Sequence, residues 1–199
     1  QPARLFPWHR ALQELLGAER VHPSDLLALD LAAPLALPLS LPPGLDAGVP
    51  DYAACRARFE KALLPFLKSS DEEARRGHAL ALQQAIATVA EGQREPRART
   101  FWLAMHSFAE LVASGELDGD LYVKQLFGQI NLQVRRLSQG QAELPDAMLR
   151  DALFFVAAAP AASSGAQALR SAFRLDGLVP ADYAERRYGR IDPADMKQA

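Results

Sequence analysis

The chain has 199 residues, a formal net charge of −2 and a pI near 6.1, a balance that excludes nucleic-acid binding by bulk positive charge. One cysteine excludes an internal disulfide and a multi-cysteine metal site. Hydrophobic residues at 49% against 23% charged mark a folding chain, and its richness in Ala and Leu with few Val, Ile and Thr argues for an all-α fold. The chain opens on Gln1 rather than Met and reads as a piece of something longer.

The first predicted helix runs from about Arg4 to Leu16, and its Arg4, His9 and Arg10 deny it the apolar run of a signal peptide. The most apolar window, Leu26 to Leu45, is interrupted by Asp30, Pro34, Pro38, Pro42 and Pro43. It can be neither a helix nor a membrane span. The stretch from Ala18 to Pro50 is therefore read as an extended, Pro-rich strap whose leucines dock on a helical body. A helix follows from Asp51 to about Lys68, with Phe59, Leu63, Leu64 and Leu67 at helical spacing; Pro65 should kink it or end it early. Ser70 with Glu73 reads as a capping box for a helix from Asp71 to Glu91, striped by Leu82, Ala85, Ile86 and Val89.

A basic loop from Gln93 to Arg99 leads to a helix from about Thr100 to Ser114, with Phe101, Met105, Phe108 and Val112 on its buried face. Tyr122, Leu126, Ile130, Val134 and Leu137 stripe the next helix, Asp118 to Gln139. Pro145, at a first-turn position, opens a helix that reaches Pro160. Ser163, Ser164 and Gly165 open a short one to Phe173, and an irregular stretch closes the chain. Gly17, Gly92, Gly115 and Gly140 each follow a periodic stretch, as a glycine just past a helix C-terminus does. The expected architecture is an up-down bundle of four to five long helices over residues 51–174, preceded by the helix and strap of residues 1–50 and followed by a tail or linker at 175–199. No fixed period suggests a solenoid, and no sustained heptads suggest a long coiled coil.

Catalytic and ligand chemistry is hard to find. His9, His22, His78 and His106 have no second His or Cys at three or four residues, so no metal site is expected. No nucleophile elbow and no phosphate-cradling glycine loop is present, and no cofactor is implied. Cys55, near Arg56 and Arg58, reads as a small buried residue. Arg94, Arg97 and Arg99 read as a solvated loop. A ligand-sensing bundle is not signalled, because few polar residues break the apolar stripes.

Histidine on a bundle helix leaves one chemistry to weigh. Histidine phosphotransfer domains expose a His in mid-helix, usually with Lys three residues on and Gly four residues on. His78 has Ala81 and Leu82 at those positions and lies on the apolar stripe, four residues before Leu82, as an edge-of-core histidine would. His106 has Ala109 and Glu110 there, and a carboxylate one turn away repels a phosphoryl group. His106 falls off its helix's stripe, which predicts a surface or boundary ring near Trp102 and makes it the first runner-up phosphoacceptor, ahead of His78. No residue is assigned a catalytic role.

Several stretches do carry a resemblance. They are Leu12 to Leu15 with Leu26 to Asp30, Trp102 to Gly115, Leu126 to Leu137, and most clearly Leu149 to Ala157 with Leu169-Arg170 and Phe173-Arg174-Leu175-Asp176. Together they resemble the N-terminal, degenerate phosphotransfer-like region of the CheA-like hybrid histidine kinases (PilL/ChpA type) of type IV pilus and twitching systems, and the related FimL scaffold. The resemblance implies a bundle similar to a phosphotransfer domain that lacks the phosphorylated His. It implies a non-catalytic scaffold module in a chemosensory two-component system, with an active phosphotransfer domain as the alternative. The expected partners are response-regulator receiver domains or pilus-assembly scaffold proteins, in a cytoplasmic setting, with no nucleic acid and no membrane insertion.

Overall fold

The computed structural model describes residues 49–160 and 163–179. The helix expected at Arg4 to Leu16, nearly all of the strap and the tail beyond 179 lie outside the described residues. Within them every regular element is helical: α1 (Tyr52–Lys68), α2 (Glu72–Glu91), α3 (Pro96–Ala113), α4 (Leu121–Ser138), α5 (Asp146–Ala158) and α6 (Ser164–Phe173). The all-α bundle expected from composition and periodicity is the observed architecture.

Caps and punctuation set the boundaries. Asp51 accepts from the Ala54 N–H at 3.1 Å and starts α1, whose Cys55, Phe59, Ala62, Leu63 and Phe66 form one buried face. α1 continues past Pro65 to Lys68, so the proline does not end it early; the Pro65 carbonyl takes the Ser69 N–H at 2.9 Å. The cap of α2 is Asp71 rather than Ser70, its carboxylate accepting from Ala74 N–H at 3.0 Å. Asp120 caps α4 through Val123 N–H at 2.9 Å, and Ser163 caps α6 through Ala166 N–H at 3.1 Å. Pro145 stands one place earlier than expected, as the N-cap of α5.

The largest correction is at α3. It begins at Pro96 in its first turn, so Arg97 and Arg99 belong to a helix and not to a loop. Arginine in a first turn opposes the helix dipole. Here Arg97 is turned to account by Asp146 at the start of α5, 3.0 Å away.

Gly115 and Gly140 adopt φ of 82° and 78°, the left-handed geometry expected past a helix end. Gly92 does not: its φ is −82°. What requires glycine there is close approach, since an added Cβ would lie 1.9 Å from the Pro50 ring.

α1, α2 and α3 pack as successive antiparallel neighbours, tied at one end by the Gln93 amide donating to the Tyr52 hydroxyl at 2.9 Å. α4 lies against α1, and α5 lies against α3 while also touching α4. The Arg97–Asp146 pair joins the starts of α3 and α5, and Phe108 meets Phe155 further along both, so these two helices run parallel. α6 fits against α3 and α5. Phe127 of α4 is the hub of the core. Its ring centroid lies 4.9 Å from Phe66 and 6.5 Å from Phe59 on α1, and 4.8 Å from Phe108 on α3. Phe108 lies 5.2 Å from Phe155 on α5, which continues to Phe154 at 5.6 Å. One chain of aromatic contacts thus crosses four helices.

The sequence string that carries the family resemblance has a structural reason. α5 ends without a glycine cap, and its last carbonyls need partners. Arg170 of α6 supplies them: its guanidinium donates to Val156 O at 3.1 and 3.2 Å, to Ala157 O at 3.3 Å, and to Ala159 O. A cation at a helix C-terminus also complements the dipole. Asp176 lies 3.3 Å from the same guanidinium. The chain turns to reach it through Arg174, which takes the left-handed φ of 52° as the α6 C-cap. Leu169, Phe173, Leu175 and Val179 are buried, so packing runs past residue 174.

Candidate functional site

The two histidines singled out from the sequence sit in different settings. α3 is buried on nearly every face, from Phe101 through Met105 and Phe108 to Val112, because α2, α5 and α6 all pack on it. His106 is consequently half-buried, a boundary position within the surface-or-boundary range expected for it. The Gln83 side-chain nitrogen on α2 lies 3.5 Å from His106 Nε2. An amide N–H pointing there needs the unprotonated ring nitrogen. Burial pushes the His106 pKa down from its ordinary value, against a smaller upward pull from Glu110 and then Glu91. The ring sits in the α2–α3 seam beside the Gln83 amide. Its neighbour Trp102 is fully buried.

His78 is half-buried on α2, at the border of that helix's outward face. Around it lie Ala74, Gly77, Leu80, Ala81 and Gln84, all exposed; Leu80 is 46% exposed. Gly77 stands in mid-helix, and a Cβ added there would meet nothing within 4 Å. Glycine in a helix interior costs roughly 1 kcal/mol relative to alanine. No packing within the described residues calls for it. His78 and His106 thus stand on different helices, α2 and α3.

Cys55 is 1% exposed, with the Arg58 guanidinium 3.7 Å from its sulfur. Thr100, Ser107, Asn131 and Gln133 are buried polar residues that the stripe patterns did not reveal. Thr100 donates to Pro96 O at 3.0 Å and the Gln133 amide donates to Glu143 O. At the other end of the bundle, Arg75 and Arg76 of α2 lie across the α3–α4 turn, so close that a Cβ at Gly115 or Gly119 would be 2.2 or 2.7 Å from a guanidinium or its stem. That cleft is also lined by Glu72 and Asp118, and its balanced charges favour neither an anion nor a cation.

One ionisable group was not singled out from the sequence. Asp120, the α4 cap, has its pKa raised to about 6 by burial. The Val123 and Tyr122 N–H groups oppose that rise, Asp118 adds to it and Lys124 subtracts from it. A DGD string reads as a turn, and only the packed fold shows the carboxyl to be enclosed. Among the described residues, no group of three His, Cys, Asp or Glu side chains stands together to hold a metal ion, and no helix is long and apolar enough to cross a membrane.

No curated protein and no solved structure matches the chain. A family match extends over residues 46–186, which include every described helix and both stretches joined by Arg170. The chain belongs to the family described as the FimL scaffold protein second domain.

Proposed function

We propose that this domain is a non-catalytic binding scaffold in a chemosensory system that controls type IV pili. It would have the bundle form of a phosphotransfer domain without its reaction. The observation that carries this is His106: the better-placed histidine is half-buried in the α2–α3 seam beside Gln83, its pKa lowered by burial, with Ala109 and Glu110 where a phosphoryl group needs positive charge and open space. The setting is the cytoplasm, and the domain works through protein partners, receiver domains of response regulators or pilus-assembly scaffold proteins. The outward face of α2 suits such a partner. Its Gly77 and Ala81 let another backbone approach closely, and Leu80 offers an apolar anchor.

The test is phosphoryl transfer. The chain is incubated with a phosphorylated receiver domain and, separately, with the autophosphorylated kinase core of the same chemosensory system. The expected result is binding without acid-labile phosphate on this chain. Acid-labile phosphate that disappears in His106→Gln or His78→Gln would overturn the reading and establish a relay.

A further inference from the structure

We propose that the outward side of α1, with the flank of α4 beside it, is a docking surface for an acidic protein segment, one rich in Asp and Glu. This goes beyond the scaffold reading and stands whether or not the domain relays phosphate.

The first observation is where the positive charge sits. The chain as a whole is slightly acidic, with a formal net charge of −2. α1 nevertheless carries Arg56, Arg58, Lys61 and Lys68 against Glu60 alone, and α4 carries Lys124, Arg135 and Arg136 against no acid. These two helices pack on each other. Arg58, Lys61 and Lys68 stand at i, i+3 and i+10, one stripe of α1, with Pro65 between them. All four are exposed, on the side away from the buried Phe59, Leu63 and Phe66. On α4, Lys124 and Arg135 share a stripe with Asn131, because eleven residues make close to three turns. Gln133, on the other flank of α4, donates to Glu143 O at the approach to α5, so the Lys124 flank is the one beside α1.

The second observation is that folding does not account for all of these charges. Lys68, Arg135 and Arg136 lie in last turns, where a cation complements the helix dipole. Arg58 and Lys61 have no such role. Arg56 is tied to Glu60 at 2.9 Å, but neither Arg58 nor Lys61 has an ion pair among the described residues; Arg58 reaches only the Cys55 sulfur, at 3.7 Å. Cations three residues apart on one helix face repel, so the fold gains nothing from keeping them together.

The chemistry of the surface selects the partner. Among the described residues the exposed large hydrophobics are Val49, Leu80 and Leu178, none of them on α1 or α4. A helix that lies on a membrane inserts large apolar side chains, so a lipid surface fits less well. No aromatic of α1 or α4 is exposed to stack on a nucleic-acid base. Ala54, Ala57 and Pro65, exposed between the cations, are small and let a polypeptide lie close. Carboxylates along such a segment meet Arg58, Lys61 and Lys68 in turn, an arrangement that steers encounter and fixes register. The site leaves Gly77 and Leu80 on α2 to a different protein.

The test uses the full chain and a fluorescein-labelled peptide of alternating Glu and Ala, with its Gln and Ala counterpart as control, read by fluorescence anisotropy at low ionic strength. The expected result is binding of the Glu peptide alone, weakened about five- to ten-fold in the double variant Arg58→Gln/Lys61→Gln. The double variant Arg76→Gln/Arg174→Gln, which removes two exposed cations elsewhere, should weaken it by less than about two-fold. The Tm of Arg58→Gln/Lys61→Gln should stay level or rise, since a repulsion is removed. No binding of the Glu peptide, or equal weakening by the two double variants, overturns the proposal. So does a fall in Tm in Arg58→Gln/Lys61→Gln, which would show that the fold needs these cations. Tighter binding to phosphatidylglycerol vesicles or to a DNA duplex than to the peptide, lost in the same variant, assigns the surface to lipid or nucleic acid and overturns it. Dimers in sedimentation that dissociate in that variant assign it to a second copy and overturn it likewise.

Discussion

Replacing Arg170 by alanine should be among the most damaging single changes outside the aromatic core. The side chain donates to Val156 O, Ala157 O and Ala159 O at the end of α5, and its own exposure is only 20%. A hydrogen bond to a charged donor is worth about 1.5–3 kcal/mol net, and a cation at a helix C-terminus adds about 0.3–1 kcal/mol. The bonds share one guanidinium and do not add, and water entering the gap would recover part of the loss. A net cost of about 2–4 kcal/mol follows, or a fall in Tm of roughly 10 °C for a domain of this size. Arg170→Lys keeps the charge but not the planar fork and should lose about half as much. Asp176→Asn should cost at most about 0.5 kcal/mol, because that carboxylate is 80% exposed. Urea unfolding followed by far-UV circular dichroism reads all three. A loss below about 1 kcal/mol for Arg170→Ala, or an equal loss for Asp176→Asn, would refute the argument that capping the α5 carbonyls is what Arg170 does.

Three further outcomes follow from particular side chains. Gly77→Ala should stabilise the fold by about 0.5–1 kcal/mol in the same unfolding measurement while weakening partner capture, since nothing occupies the space of its Cβ. Because the Asp120 pKa is raised to about 6, its contribution to stability is present below pH 4 and lost as the pH climbs through 6. Asp120→Asn keeps a competent cap, so it should gain on the unsubstituted chain by about 1 kcal/mol between pH 4 and pH 7, the solvent-screened cost of ionising the enclosed carboxyl. For His106 the sign is opposite: its pKa is lowered, so its contribution is present above pH 6.5 and lost as the pH falls through the folded-state pKa. Imidazole titration by NMR should give a midpoint below 6.5, and His106→Gln should flatten the acid side of the stability profile.

The helices were legible where a local signal forced them. Gly115 and Gly140 marked ends because only a left-handed residue closes those turns, and Ser163 marked a start because its hydroxyl reaches Ala166 N–H. The start of α3 was not legible. Arg94, Arg97 and Arg99 weigh against a helix N-terminus, and the Asp146 that answers Arg97 lies 49 residues away. Ser70 and Asp71 are both competent caps, and sequence alone does not rank neighbours. The missing chemistry at His106 could be read from Ala109 and Glu110, but the burial of Trp102, Leu103 and Ser107 around it could not, because one stripe does not reveal a helix enclosed by α2, α5 and α6. The Leu169-Arg170 string was visible as a resemblance, and its reason, the carbonyls of α5, only as a structure.

The chain of rings from Phe66 through Phe127 and Phe108 to Phe155 has a consequence for any scaffold built this way. Rings in series across four helices tie the α1–α2 side to the α5 side. Two proteins held on those opposite sides are kept apart by the thickness of the bundle, a few interhelical spacings of about 10 Å each. Their mutual effective concentration is then set by a fixed distance, like marks on a ruler, and not by the sampling of a flexible tether.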